Sequence, residues 1–212
     1  MATPTPQSQL TEVTRTVIPA PHGHVISLAQ DLPAPPAEVW AALTSADRLA
    51  LWFGRADGEL QDGGRFELPD METQGTVLSA EEPHRLKLTW EFGGSTSEME
   101  LLISEAESGG SRFELRHTVP VDAHWGTFGP AATGCGWDGA LYALALHLEN
   151  PSTDLLTELG GFAASDEGAD FTRATADAWA AAHVASGADR KPARKAAVRT
   201  AAFYLGEEPD LS

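Results

Sequence analysis

Between residues 84 and 92 the side chains alternate strictly, with Leu86, Leu88, Trp90 and Phe92 on one parity and Arg85, Lys87, Thr89 and Glu91 on the other. A period of two sends successive side chains to opposite faces, so this run predicts an antiparallel strand with one buried and one wet face. The same alternation recurs over 97–104, with Met99, Leu101 and Ile103 inward, and over 112–119, with Phe113, Leu115 and His117 inward. Shorter runs at 65–68 (Phe66, Leu68) and 73–80 predict two more strands, and 24–31 (Ile26, Leu28) predicts an earlier one. Asp62-Gly63-Gly64, Gly93-Gly94 and Ser108-Gly109-Gly110 separate them as turns. About five strands therefore meander in sequence, their inner face apolar.

Two short segments and one long one follow a helical period instead. Pro36 suits the first turn of a helix, where its missing N–H is not needed, and Val39, Trp40 and Leu43 supply the apolar side. Thr44 or Ser45 then opens a second short helix through Leu49, Leu51, Trp52 and Phe53, ending at Gly54. In the third, Trp137, Leu141, Leu144, Ala145 and Leu148 form a stripe, while His147 and Glu149 are expected to lean toward solvent. Gly134, Gly136 and Gly139 interrupt its start, and each costs about 1 kcal/mol against alanine in a helix interior. They spell a dinucleotide fingerprint, but no buried strand precedes them, so the preferred reading is bare backbone for close packing or a pocket mouth.

Composition narrows the function classes. A net charge of −17 repels a phosphate backbone, which argues against nucleic-acid or anionic-membrane binding. One cysteine, Cys135, excludes an internal disulfide and reads as a packing residue. His22-Gly23-His24 lacks further ligands at metal spacing and reads as a turn. With neither a signal peptide nor a membrane span legible, the expected location is the cytoplasm. The Pro- and Thr-rich residues 1–23 are expected to be a mostly disordered arm, with 11–18 able to form a lead-in strand. Beyond Asn150-Pro151, two helical stripes appear, one through Phe171, Thr175 and Trp179 and one through Ala197, Val198 and Ala201. Trp179 and Phe203 must pack against the main body or across a homodimer. Arg190, Lys191, Arg194, Lys195 and Arg199 cluster on the second helix, to neutralise the acidic body or to dock an acidic partner.

These elements have one economical arrangement, an α+β fold in which a curved antiparallel sheet wraps a long helix. The space between is a natural cavity, and strand and helix parity nominate Trp52, Phe66, Trp90, Met99, Phe113, His117, Trp137 and Leu141 as its lining. His117 is the one polar side chain among them, read first as a hydrogen-bonded core histidine and second as an acid/base or ligand anchor. No catalytic set and no metal or cofactor site is recognised.

The segments Ala34 to Thr44, Leu51-Trp52-Phe53-Gly54, Leu115-Arg116-His117-Thr118 and Gly136-Trp137-Asp138 resemble, in order and spacing, the SRPBCC superfamily, in particular the branch named for activators of the heat-shock-protein-90 ATPase. The resemblance covers 24–149 and implies a helix-grip domain of the START and polyketide-cyclase kind over 24–150. Residues 151–212 are then a helical extension, similar to a tail on some actinobacterial members. Functions implied are a non-catalytic module for a small hydrophobic, lipid- or polyketide-like ligand, a chaperone-associated regulator with a protein partner, or a cyclase/aromatase-like enzyme using the cavity. The apolar inward faces favour the first.

Overall fold

The computed structural model describes residues 3–107 and 109–211. Ser108 of the expected 108–110 turn, and Met1 and Ala2 of the N-terminal arm, lie outside the described residues. Eight strands form a single antiparallel sheet in the order β1-β2-β8-β7-β6-β5-β4-β3. Five of them are the predicted meander: β4 (Arg65–Leu68), β5 (Thr73–Glu81), β6 (Arg85–Phe92), β7 (Ser95–Glu105) and β8 (Ser111–Pro120). The earlier strand, β2 (Gly23–Leu32), pairs with β8, placing Ile26 opposite His117 and Leu28 opposite Leu115. Edges are supplied by β1 (Thr14–Ala20) and the two-residue β3 (Asp57–Gly58). At the β6–β7 hairpin Gly93 (φ 57°) and Gly94 (φ 79°) take left-handed conformations that a side chain disfavours.

Parity holds along β6 for Leu86 and Leu88 but fails at its end. Phe92, expected inward, is 57 % exposed because it sits at the hairpin, past the helix that covers the sheet. On the outer face the charges form ladders, Lys87 to Glu98, Arg85 to Glu100 and Arg65 to Glu91, as the wet parity requires.

The chain before Gly23 differs from the disordered arm that its composition suggested. Thr5 and Ser8 form a capping box that opens α1 (Pro6–Glu12), whose Gln9 is fully buried and donates through Nε2 to Gln30 Oε1 at 3.0 Å. Burying one amide against another is a tertiary event with no local signature.

Helices α2 (Pro36–Thr44) and α3 (Ala46–Leu49) follow β2, and α4 (Ala123–Phe128) precedes the gripped helix α5 (Ala131–Glu149). Covering the side of α5 turned away from the sheet are α6 (Leu156–Ala163), α7 (Asp166–Ala185) and α8 (Arg190–Tyr204). Ser165 caps α7 by accepting from Gly168 N at 3.1 Å. Trp179 of α7 is completely buried, whereas Phe203 of α8 remains 63 % exposed and touches Phe128 and Tyr204 only at ring edges. Val198, on the predicted stripe of α8, also faces out.

With cover on both sides, α5 keeps little exposed surface, which corrects the expectation for His147. That ring is fully buried, stacked 6.2 Å from Trp52 and accepting at Nε2 from Arg48 Nε at 3.2 Å. The α2–α3 pair crosses this end of the helix, so the polar position on the wheel is roofed.

Gly134 explains one of the glycines. A Cβ added there would lie inside the indole of Trp179, so the bare backbone is the slot in which α7 docks. Gly134→Ala is expected to lower stability by about 1–3 kcal/mol, since overpacking against a rigid ring outweighs the ~1 kcal/mol that alanine gains in helix propensity. Urea denaturation checks the sign: a variant more stable than the parent would show that the slot is not tight.

An apolar cavity with an aromatic end

Curvature of the sheet leaves a cavity of about 80 Å³ beneath α5 that opens to the surface. The sheet contributes inward positions of β2, β4, β6, β7 and β8, among them Leu28, Phe66, Leu88, Met99 and Phe113. The roof is one face of α5, with Trp137, Ala140, Leu141 and Leu144 at spacings of three and four. Trp52 and Phe53, just after α3, close the side.

Seven of the eight residues nominated from sequence therefore meet on one wall: Trp52, Phe66, Trp90, Met99, Phe113, Trp137 and Leu141. The sequence reading did not nominate Phe53 or Leu60: Phe53 was expected on a second short helix that in fact ends at Leu49, and Leu60 lies on irregular backbone where no period assigns a face. Leu43, Phe53, Leu60, Trp90 and Ala140 are the partly exposed wall residues, so the cavity opens to solvent on their side.

His117 is the exception, standing behind the wall rather than on it. Trp137 Nε1–H donates to His117 Nδ1 at 3.0 Å. An indole can only donate, so Nδ1 accepts and the imidazole proton sits on Nε2. Nε2–H then donates to Ser97 Oγ at 2.7 Å, and Ser97 Oγ–H passes the chain to the carbonyl of Trp90 at 3.2 Å. Burial pushes the ring down from 6.5 to about 4, so it is neutral at physiological pH. With both nitrogens engaged it holds Trp137 in place and offers the cavity no proton acceptor.

The aromatic side chains cluster at one end. Trp137 stacks on Phe53 at 6.5 Å and meets Trp90 edge to face at 5.0 Å, and Trp52 adjoins Phe53 at 5.2 Å. The rest of the lining is leucine, methionine, alanine and phenylalanine. Such a wall excludes water from apolar groups and contains no charge to bind or transform an ionised one. Cys135 faces the other way, toward Thr175 of α7, and burial raises its thiol to about 12, which keeps it protonated.

A family model described as activator of Hsp90 ATPase homolog 1-like protein matches residues 33–149, more than half of the chain, ending where α5 ends. Among solved structures, CalU16 from Micromonospora echinospora is 29% identical, with a TM-score of 0.62 over 81% of this chain and 96% of that one. EF2215 from Enterococcus faecalis (18% identity, TM-score 0.60, 86% of this chain and 96% of that one) shares the fold. So does DynU16, a protein of the dynemicin biosynthetic locus (22% identity, TM-score 0.53, 60% of this chain and 48% of that one). No curated protein sequence matches. The likeness to CalU16 extends over more of the chain than the family model does, so it takes in part of the flanking segments. The matched region spans more than half of the chain and takes in the helices α2 and α3, strands β3 to β8 and the gripped helix, and the chain belongs to the family of activator of Hsp90 ATPase homolog 1-like proteins.

Proposed function

We propose that the chain is a non-catalytic binding module that takes a small hydrophobic ligand, lipid- or polyketide-like, between the sheet and α5. The observation that carries this reading is the wall itself: an enclosed space open to the surface, bounded by apolar and aromatic side chains and backed by a histidine that is tied up in positioning Trp137. A space of about 80 Å³ is smaller than a lipid chain or a polycycle, so entry moves the partly exposed rim, with Phe53 and Leu60 the side chains on irregular backbone.

Native mass spectrometry of the freshly purified protein, followed by a thermal-shift screen of fatty alcohols and aromatic polyketides, tests the reading. A ligand present at a hundred times its Kd raises stability by about 2.7 kcal/mol. Ala140→Phe, which plugs the roof from a partly exposed position, is expected to weaken binding at least tenfold while the protein still folds. Co-purification of nothing and no shift with any compound would overturn the reading. The second reading, a chaperone-associated regulator, draws only on the family's description; it gains if the chain stimulates the ATPase of the host Hsp90 homologue and the plugged variant does so equally.

A further inference from the structure

Three of the cavity-wall side chains carry a hydrogen-bond donor, the indoles of Trp52, Trp90 and Trp137. Two are committed to the protein: Trp52 Nε1–H donates to Ala42 O at 3.2 Å, and Trp137 Nε1–H to His117 Nδ1 at 3.0 Å. Trp90 Nε1–H has no partner among the described residues, and it is not among the buried polar atoms left without one, so solvent reaches it. The ring is nevertheless well fixed. Its strand is held by Ser97 Oγ–H on the Trp90 carbonyl, and its face meets Trp137 at 70°. It belongs to the partly exposed rim, where the apolar interior gives way to water.

A ligand that extends from the cavity over the rim at Trp90 strips water from this N–H. If the ligand brings no acceptor, the donor loses its partner; if it brings one, the bond is remade in a drier setting. No acceptor on the wall serves a ligand's donors, and no cation serves a carboxylate.

We propose that Trp90 Nε1–H is the polar anchor of the cavity and selects ligands that are apolar except for one neutral acceptor oxygen, as in a ketone or ester, at the end that lies by the rim. This rests on the reading of the cavity as a binding site and adds which ligands it prefers.

The probes are acetophenone and α-methylstyrene, which have nearly the same shape and differ by a carbonyl oxygen in place of a methylene, with benzoate as the anionic counterpart. Dissociation constants for the parent and for Trp90→Phe are measured by ligand-detected NMR titration. The ratio of the acetophenone to the α-methylstyrene affinity is expected to drop roughly three- to tenfold in the variant, the worth of one neutral hydrogen bond. Taking the ratio of ratios cancels the different hydration of the two probes. Benzoate is expected to bind more weakly than acetophenone to both proteins. In the parent protein the Trp90 indole proton should lie downfield with acetophenone relative to α-methylstyrene, which takes its water without replacing the bond, a reading that holds even if the variant folds poorly. An unchanged ratio, or an indole proton indifferent to acetophenone, overturns the anchor while leaving the cavity as a binding site. Failure of all three probes to bind overturns both.

Discussion

Asp138→Ala is expected to cost about 3–5 kcal/mol of folding stability, the penalty for removing one member of a buried ion pair. Asp138 has no exposed surface, and the Arg15 side chain is only 5% exposed. The carboxylate gathers three donors: Arg15 Nη2 at 2.6 Å and Nε at 3.0 Å, and Trp179 Nε1 at 2.8 Å. Burial holds the carboxyl above its ordinary value, and the guanidinium and indole only partly offset that push. Arg15 also donates to the carbonyls of Leu10 and Val13. One carboxylate on α5 thus fastens β1, the end of α1 and α7. Deleting it strands a guanidinium in an apolar setting and frees the indole that fills the Gly134 slot. Arg15→Met should cost a comparable amount, for the mirror reason. The double replacement Arg15→Met with Asp138→Leu should recover part of the loss, because two apolar side chains leave no orphaned charge, although the Trp179 indole N–H still loses its acceptor. Urea denaturation of the parent, Arg15→Met, Asp138→Leu and the double variant gives the cycle. Single variants that lose less than about 1 kcal/mol would mean that water or a rearranged Arg15 compensates the charge, and that the pair is not the fastening.

That ion pair marks the limit of what sequence patterning reaches. Arg15 and Asp138 are separated by 123 positions, and although Asp138 is the one charged residue in the run 131–146, nothing local names its partner. The strands were legible because a half-buried sheet imposes a period of two on its own residues, and Leu86, Leu88, Met99, Leu101, Phe113 and Leu115 all obey it. Most of the cavity wall was legible for the same reason, since facing inward from a curved sheet and lining the cavity are nearly one condition. Parity says nothing about where cover ends, so Phe92 was misplaced. Nor could the helical wheel of α5 foresee a second layer: His147 sits on what would be a wet face if α2 and α3 did not cross it. The stripe of α7 announced a buried Trp179, and of the three glycines expected to mark close packing on α5, Gly134 is tightly covered, whereas a Cβ at Gly139 would meet nothing within 4 Å. That Trp179 fits into the Gly134 slot is a property of the assembled fold.

Acidification from pH 7 to pH 4 is expected to remove roughly 3 kcal/mol of stability through His117 alone, at about 1.4 kcal/mol per unit of pKa difference. In the unfolded chain this ring takes up a proton near its ordinary 6.5, whereas in the folded protein burial delays uptake to about 4. Between those values the unfolded state binds more protons, so stability present above pH 6.5 drains away as pH falls and the contribution is exhausted below about 4. His147, His24 and His183 are shifted downward by burial too and act in the same direction. Isolating His117 requires a partner that does not titrate. In His117→Gln an amide can still accept from Trp137 and donate to Ser97, so the stability difference between parent and variant should shrink by about 3 kcal/mol from pH 7 to pH 4, whatever its value at pH 7. Parallel stability curves would show that the ring is solvated or already charged. The same proton bears on the cavity. It must enter at Nδ1, the atom that now accepts from the Trp137 indole, and two donors cannot face each other there. Protonation therefore pushes Trp137 off its support, and affinity for an apolar ligand should fall only as the folded-state ring titrates, near pH 4, below the range in which most of the His117 stability is lost.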